Sequence, residues 1–219
     1  MKSFKQLTPA ENRQRMLDGK LYDPGEATLM AEQTRYQAAL ADYNQLSFGN
    51  MKARRQWLQD HFASVGADCY IEQPFYANWA GHHVHLGDGV YANFHLTLVD
   101  DGDIFIGDHV MMGPNVTIAT AGHPIEPTLR RYALQHNQPV HVGDNVWLGA
   151  NVTVLPGVTI GANTVVGAGS VVTKDLPANV VAVGTPVRVQ RPINAHDRDY
   201  YYQDRPIDIT VPDGEATDQ

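Results

Sequence analysis

Residues 142–170 contain Val142-Gly143-Asp144-Asn145-Val146, Leu148-Gly149-Ala150-Asn151-Val152, Val154-Leu155-Pro156-Gly157-Val158, Ile160-Gly161-Ala162-Asn163-Thr164 and Val166-Gly167-Ala168-Gly169-Ser170, five units in a frame of six. Each unit opens with an aliphatic residue, usually followed by a small one, and carries Val, Thr or Ser four positions later. Positions i and i+4 have the same parity, so an extended chain turns them to the same side. Gly and Asn between them suit bends. Three such sides close one coil, and coils stack at about 4.8 Å with their main-chain groups paired. The period specifies an all-β solenoid, a parallel β-helix of hexapeptide repeats. A β-sandwich, with turns about every 8–12 residues, would not hold a frame of six.

The frame extends towards the N-terminus. It recurs at Leu86-Gly87, Ile106-Gly107 and Met112-Gly113, is less regular between Ala92 and Gly102, and is lost between Ile118 and Val140. The lost stretch reads ATAGHPIEPTLRRYALQHNQP, with three prolines, two arginines and two histidines. So long an excursion from a regular coil is a functional candidate. The expected organisation is a helical cap over 1–65, a coil over 66–190 with a loop extruded at about 119–139, and a partly flexible extension over 191–219. In the cap, Thr8-Pro9-Ala10-Glu11 is a capping box with Pro at the first helical position. Leu29, Tyr36, Leu40 and Tyr43 recur at helical spacing, and a third helix is expected over Met51 to Phe62. The acidic tail from Asp204 is expected to be weakly ordered.

Composition excludes several classes. The 219 residues carry 16 basic and 24 acidic side chains, a formal net charge of -8, which is no footprint for nucleic acid. Residues 145–173 hold no charge over 29 positions, long enough to span a bilayer, but five glycines, Pro156 and three asparagines disqualify a bilayer helix. Cys69 is the single cysteine, so there is no internal disulfide and no cysteine-ligated zinc. Without an apolar leader among the first residues, a reducing cytoplasm is the expected compartment.

Chemistry must come from particular residues. His123, in Thr120-Ala121-Gly122-His123-Pro124, stands where the chain leaves the coil, and a rigid root suits a general base. Asn93 and the pair Asp100-Asp101 fall in the less regular coils. They read either as ligand-facing groups or as corner residues satisfying the main chain. Thr173-Lys174, Arg188 and Arg191 form a late cationic cluster after a long uncharged surface, suited to the phosphates of a thin ligand lying along the coil.

The ordered string Tyr91-Ala92-Asn93-Phe94, Val99-Asp100-Asp101, Ala121-Gly122-His123-Pro124, Trp147-Leu148-Gly149-Ala150, Gly167-Ala168-Gly169-Ser170, Val172-Thr173-Lys174-Asp175, Arg188 and Arg191 resembles the galactoside and maltose O-acetyltransferases. Met16-Leu17-Asp18-Gly19-Lys20-Leu21-Tyr22-Asp23 resembles that family's opening signature, so the likeness runs from about Met16 to Tyr202. The resemblance implies a left-handed coil and a homotrimer with its active site between subunits. It also implies transfer of acetyl from acetyl-CoA to a sugar hydroxyl of galactoside, glucoside or maltose type, with no metal. His123 then matches the catalytic histidine, and Asn93 a residue stabilising the transition state. Asp23, Asn78, Asn93 and Asp101 match acceptor positions. Ala150, Ala168, Thr173, Lys174, Arg188 and Arg191 match positions contacting CoA, and Trp147 lines the same channel. The family's Asp or Ser before an aromatic and glycine is replaced by Tyr76-Ala77-Asn78-Trp79-Ala80-Gly81-His82-His83. Its Gly-Glu is missing from Tyr132-Ala133-Leu134-Gln135-His136-Asn137.

Three alternatives accompany this reading. One is the same chemistry on a non-sugar acceptor. A second is a carbonic-anhydrase-type metalloenzyme using His82, His83, His95, His109, His136 or His141, although these do not fall into coil register. A third is a non-catalytic coil. No Ser or Cys adjoins His123 in sequence, so direct transfer in a ternary complex is expected over a covalent acetyl-enzyme.

Overall fold

The computed structural model describes residues 3–210. Three helices lead the chain: α1 (Pro9–Leu17), α2 (Ala27–Gln45) and α3 (Met51–His61). The Thr8 side chain accepts from the Glu11 N–H, and Pro9 opens α1. The apolar stripe of α2 delivers Leu29, Leu40 and Tyr43 to the interior. The stretch between α1 and α2 is not helical: it crosses towards the coil, where Tyr22 makes an isolated antiparallel bridge to Gln135.

The coil follows in steps. The first turn holds β1 (Ser64–Val65), β2 (Tyr70–Ile71) and β3 (Tyr76–Ala77); the second, β4 (Val84–Leu86), β5 (Tyr91–Ala92) and β6 (Thr97–Val99). The third holds β7 (Ile104–Ile106), β8 (Met111–Met112) and β9 (Thr117–Ala119). An excursion follows, with β10 (Ala121–Gly122), α4 (Pro127–Arg131) and β11 (His136–Asn137). The fourth turn holds β12 (Val140–Val142), β13 (Trp147–Leu148) and β14 (Thr153–Val154), and the fifth, β15 (Thr159–Ile160), β16 (Val165–Val166) and β17 (Val171–Val172). β18 (Val180–Val183) begins a sixth, and β19 (Arg188–Pro192) folds back on it antiparallel. Beyond it lie α5 (His196–Asp199) and a hairpin of β20 (Tyr200–Tyr202) with β21 (Arg205–Pro206). The start of the tail expected to be weakly ordered is thus paired, and 211–219 lie outside the described residues.

Three parallel sheets form the faces of a prism. The first face is β1-β4-β7-β12-β15, the second β2-β5-β8-β13-β16-β18, and the third β3-β6-β9-β14-β17. The frame of six explains the interior: Val142, Val146, Leu148, Val152, Val154, Val158 and Ile160 are all 3% exposed or less. The bends occupy one slot of each unit. Asn145, Asn151, Gly157, Asn163 and Gly169 all have φ between 55° and 80°, a region where Asn and Gly are least strained. A second slot is fixed by coil stacking, because a Cβ on Gly149 would lie 2.6 Å from the Ala168 nitrogen. The amides of Asn145, Asn163 and Asn179 ladder at 3.0 and 2.9 Å.

The less regular coils are irregular in one place. From the last buried residue of the third face to the first of the next turn, Val154 to Val158 and Val172 to Leu176 are four positions apart. Leu98 to Ile104 is six and Ala77 to Val84 is seven, while after Ile118 the buried frame resumes only at Val140. All three overruns stack on the edge joining the third face to the first. The other two edges keep their spacing throughout.

Candidate active site

The overruns are bonded to one another. In the first turn, residues 78–83 fold over the second turn's residues 99–103. Asp100 is fully buried, with its carboxylate accepting from the Trp79 and Gly81 N–H groups at 2.8 and 2.9 Å. Burial, reinforced by the neighbouring Asp101 charge, pushes its carboxyl up to about 7. Asp101 accepts from Asn78 Nδ2 at 2.8 Å and Trp79 Nε1 at 3.2 Å. The excursion completes the stack: Asn137 Nδ2 donates to the Asp101 carbonyl at 2.8 Å, and the Gly102 N–H to Thr120 Oγ1 at 2.9 Å.

A cleft of about 400 Å³ opens here, walled by Tyr22, Leu29, Asn78, Trp79, Asp101 and Gln135 among others. Of the expected acceptor residues, Asn78 and Asp101 share this cleft. Asp23 does not line it, although Tyr22, Pro24 and Gly25 do. The Asp23 carboxylate instead accepts from the Gly25 N–H at 2.9 Å, and its main chain is gripped by both ends of the buried Asn12 amide at 2.8 Å each.

His123 stands at the same edge. Pairing of β10 with β11 (Gly122 opposite His136) makes a narrow root for the excursion, and His123 follows directly. Its Nδ1 lies 2.9 Å from the Leu134 carbonyl. A carbonyl only accepts, so Nδ1 carries the hydrogen and Nε2 of the neutral ring keeps its lone pair. The ring is exposed.

Asn93 lies elsewhere. It follows β5 directly, on the edge joining the second face to the third. One six-residue side, up to roughly 20 Å of extended chain, separates that edge from the one bearing His123. The Asn93 carbonyl oxygen accepts from the Phe94 N–H at 2.7 Å, and its Nδ2 has no partner among the described residues.

The expected CoA contacts divide in the same way. Ala150 and Ala168 occupy the Asn93 edge one turn apart, where the Gly169 N–H donates to the Ala150 carbonyl at 2.8 Å. Thr173 and Lys174 follow β17 on the His123 edge and are exposed. Arg188 and Arg191 lie on β19. Arg191 is clamped by Asp197 through two contacts of 2.7 Å, while the Arg188 guanidinium donates to the Val187 carbonyl at 2.9 Å. On the other side of the Asn93 edge, the second face shows an outward column in register: Tyr70, Tyr91, Met111, Trp147, Val165 and Val181. Met111 and Trp147 are 49% and 50% exposed in the single chain.

The histidines considered as metal ligands are dispersed. His95 and His109 fill left-handed corner slots at φ 62° and 55°, and His85 and His141 sandwich Phe105 on the first face. No group of three or more His, Cys, Asp or Glu among the described residues is placed to hold a metal ion. No helix among them is long and apolar enough to cross a membrane.

Residue reading alone did not mark Trp79, Tyr22, Gln135 or Asn137 as site components. One signal was present: the step from Leu98 to Ile104 is too long for the frame.

The chain is similar to known proteins over most of its length. The profile of the maltose acetyltransferase hexapeptide capping motif matches residues 15–66, and that of the bacterial transferase hexapeptide (six repeats) matches 139–174. The chain is 50% identical over 199 residues to a galactoside O-acetyltransferase from Lactococcus lactis, covering 91% of this chain and 96% of that one. A galactoside acetyltransferase solved in complex with coenzyme A superposes with a TM-score of 0.87 at 39% identity, over 93% of this chain and 100% of that one. A hexapeptide-repeat acetyltransferase from Vibrio cholerae, complexed with acetyl coenzyme A, gives 0.76 at 31%, over 83% and 97%. With its cap and its repeats matched, and nearly its whole length aligned with such relatives, the chain belongs to the family of galactoside and maltose O-acetyltransferases.

Proposed function

We propose that the chain transfers acetyl from acetyl-CoA to a hydroxyl of a sugar acceptor by direct attack, with His123 as general base. The observation that carries this is the His123 ring: its Nδ1–H is committed to the Leu134 carbonyl, which leaves an exposed Nε2 as acceptor. The acceptor hydroxyl attacks the thioester carbonyl as Nε2 takes its proton. The proton then passes to the sulfur of the departing thiolate, giving free CoA and the acetyl ester. The unengaged Asn93 amide suits the developing oxyanion, a contact whose loss typically costs about 10²–10³ in rate. The cleft beside Asn78 and Asp101, rich in hydrogen-bonding groups, suits a polyhydroxyl acceptor.

Asn93 and His123 cannot meet within one chain, because a full face lies between their edges. We infer a homotrimer, in which the Asn93 edge of one copy meets the His123 edge of the next. That contact would unite Ala150 and Ala168 with Thr173 and Lys174 along one CoA channel. It would also cover the apolar column around Trp147, which a lone chain leaves as a liability. A reducing cytoplasm suits the single buried Cys69.

The test is thiol release from acetyl-CoA with galactosides, glucosides and maltose, for the wild type and His123→Ala. Acceptor-dependent release, reduced about 10²–10⁴-fold in the variant, is the expected result. CoA binding without release on any sugar would redirect the acceptor assignment. Release undiminished in His123→Ala would overturn the base.

A further inference from the structure

The contacts that hold His123 do not stop at Leu134. The Leu134 carbonyl and the Gln135 N–H belong to one peptide group. Its oxygen accepts from His123 Nδ1 at 2.9 Å, and its N–H donates to the Tyr22 carbonyl at 3.0 Å. The Tyr22 N–H returns a bond to the Gln135 carbonyl at 2.9 Å. An antiparallel bridge thus joins the helical cap to the root of the excursion, across 113 residues of sequence.

Side chains lock the bridge. Gln135 Nε2 donates to the Tyr22 hydroxyl at 2.5 Å, and Tyr22 is 1% exposed. Asn137 Oδ1 lies 3.5 Å from that hydroxyl, while Asn137 Nδ2 reaches the carbonyls of Asp101 and Met16 at 2.8 and 3.3 Å. Burial, with the Asp101 charge nearby, holds the Tyr22 phenol well above its ordinary value, so it stays neutral. A buried network satisfied from three separate segments is rigid. The exposed His123 ring has no other hydrogen-bond partner among the described residues. Its heading is therefore only as fixed as the Leu134–Gln135 peptide plane.

We propose that Tyr22 and Gln135 are positioning residues for acyl transfer: the cap segment at Tyr22 fixes the Leu134–Gln135 peptide plane, and that plane fixes the tautomer and heading of His123. The inference rests on His123 being the base. It gives the N-terminal segment a part in the reaction beyond covering the open end of the coil. Hydrogen bonds in series through one peptide group strengthen one another, so the Tyr22 carbonyl also makes Leu134 a better acceptor.

The experiment uses the full chain carrying Tyr22→Phe, Gln135→Leu or both, with His123→Ala beside them. The expected result is a kcat lower by about tenfold or more, with KM for acetyl-CoA within about twofold. The double variant is expected to be no worse than the weaker single one, because the two side chains act through one contact. Nitrogen-15 spectra of the histidines should show the Nδ1–H signature of His123 in the wild type and its loss in the variants. Wild-type kcat and an unchanged Nδ1–H signature, with His123→Ala inactive, would overturn the positioning role and leave the base standing. An active His123→Ala would overturn the base itself. Should a side-chain variant not fold, replacing the Leu134–Gln135 amide by an ester removes the N–H while keeping every side chain. A wild-type kcat in that protein overturns the proposal.

Discussion

One prism has two kinds of edge. Where the second face turns into the third, every bend takes four positions, and small residues let the next turn settle directly on the last. Where the third face turns into the first, three successive turns run over by three residues, by two, and then by an entire excursion. The regular edges are made by the repeat, and one of them spends its corner amides on one another, in the Asn145–Asn163–Asn179 ladder. The overrun edge carries residues the repeat does not need: Asn78, Trp79, Asp100, Asp101 and His123. The buried frame and the candidate acceptor cleft thus occupy different regions of one coil, and each can be perturbed without the other.

The sharpest way to break this division is to damage the regular part. Ile160→Ala empties a fully buried position on the first face, which should cost about 2–5 kcal/mol. Thermal melting should register that loss, while kcat per folded molecule stays within about twofold. An equal loss of turnover in the folded fraction would mean that the coil does more than support.

The converse variant is Asp101→Ala. Its carboxylate holds Asn78 and Trp79 across the cleft, so the acceptor KM should rise about tenfold or more while KM for acetyl-CoA holds. Orphaning the two donors should cost stability by only about 1–3 kcal/mol. Steady-state kinetics with both substrates varied would separate the two.

A third probe is pH. Asp100 sits at about 7 against an ordinary 3.8. The folded protein therefore retains a proton that the unfolded chain has released. This group's stabilising contribution is complete below about pH 4 and is lost as pH rises to about 7. The denaturation midpoint of wild type relative to Asp100→Asn should fall across that interval and then level off. A flat difference would show the carboxylate to be ionised in the fold throughout.

The smallest effect concerns Ala133, which lines the cleft in a left-handed conformation with φ 55°. Corner slots of the regular edges with such φ values hold Asn, Gly, His or Asp. Ala133→Gly should relieve that strain and stabilise by about 0.5–1 kcal/mol after the entropy that Gly loses on folding, raising the melting temperature slightly.

What could be read in advance follows the same division. The frame from Val142 to Ser170 located every interior position in those turns, because each depends only on parity within six residues. The fold was therefore legible, and so was the place of His123 where the chain leaves the repeat, because a point of exit from a repeat is conspicuous. The arrangement around it was not. Tyr22 meets Gln135, and Asn137 meets Asp101, through pairings that depend on which turn lies over which. No local pattern encodes a contact across 113 residues. Asn93 and His123 were both singled out, yet only the sheet order shows them on different edges.

The stacking of turns has one more consequence. Each turn advances the coil by about 4.8 Å, so the count of strands between the third turn, which bears His123, and the basic strand β19, one strand beyond the sixth, sets an axial distance of roughly 19 Å. The coil is in that sense a ruler, graduated in whole turns. Inserting or deleting one 18-residue turn, such as that from Trp147 to its register partner Val165, would change the molecular length of donor the protein measures while leaving the acceptor cleft on the first three turns untouched.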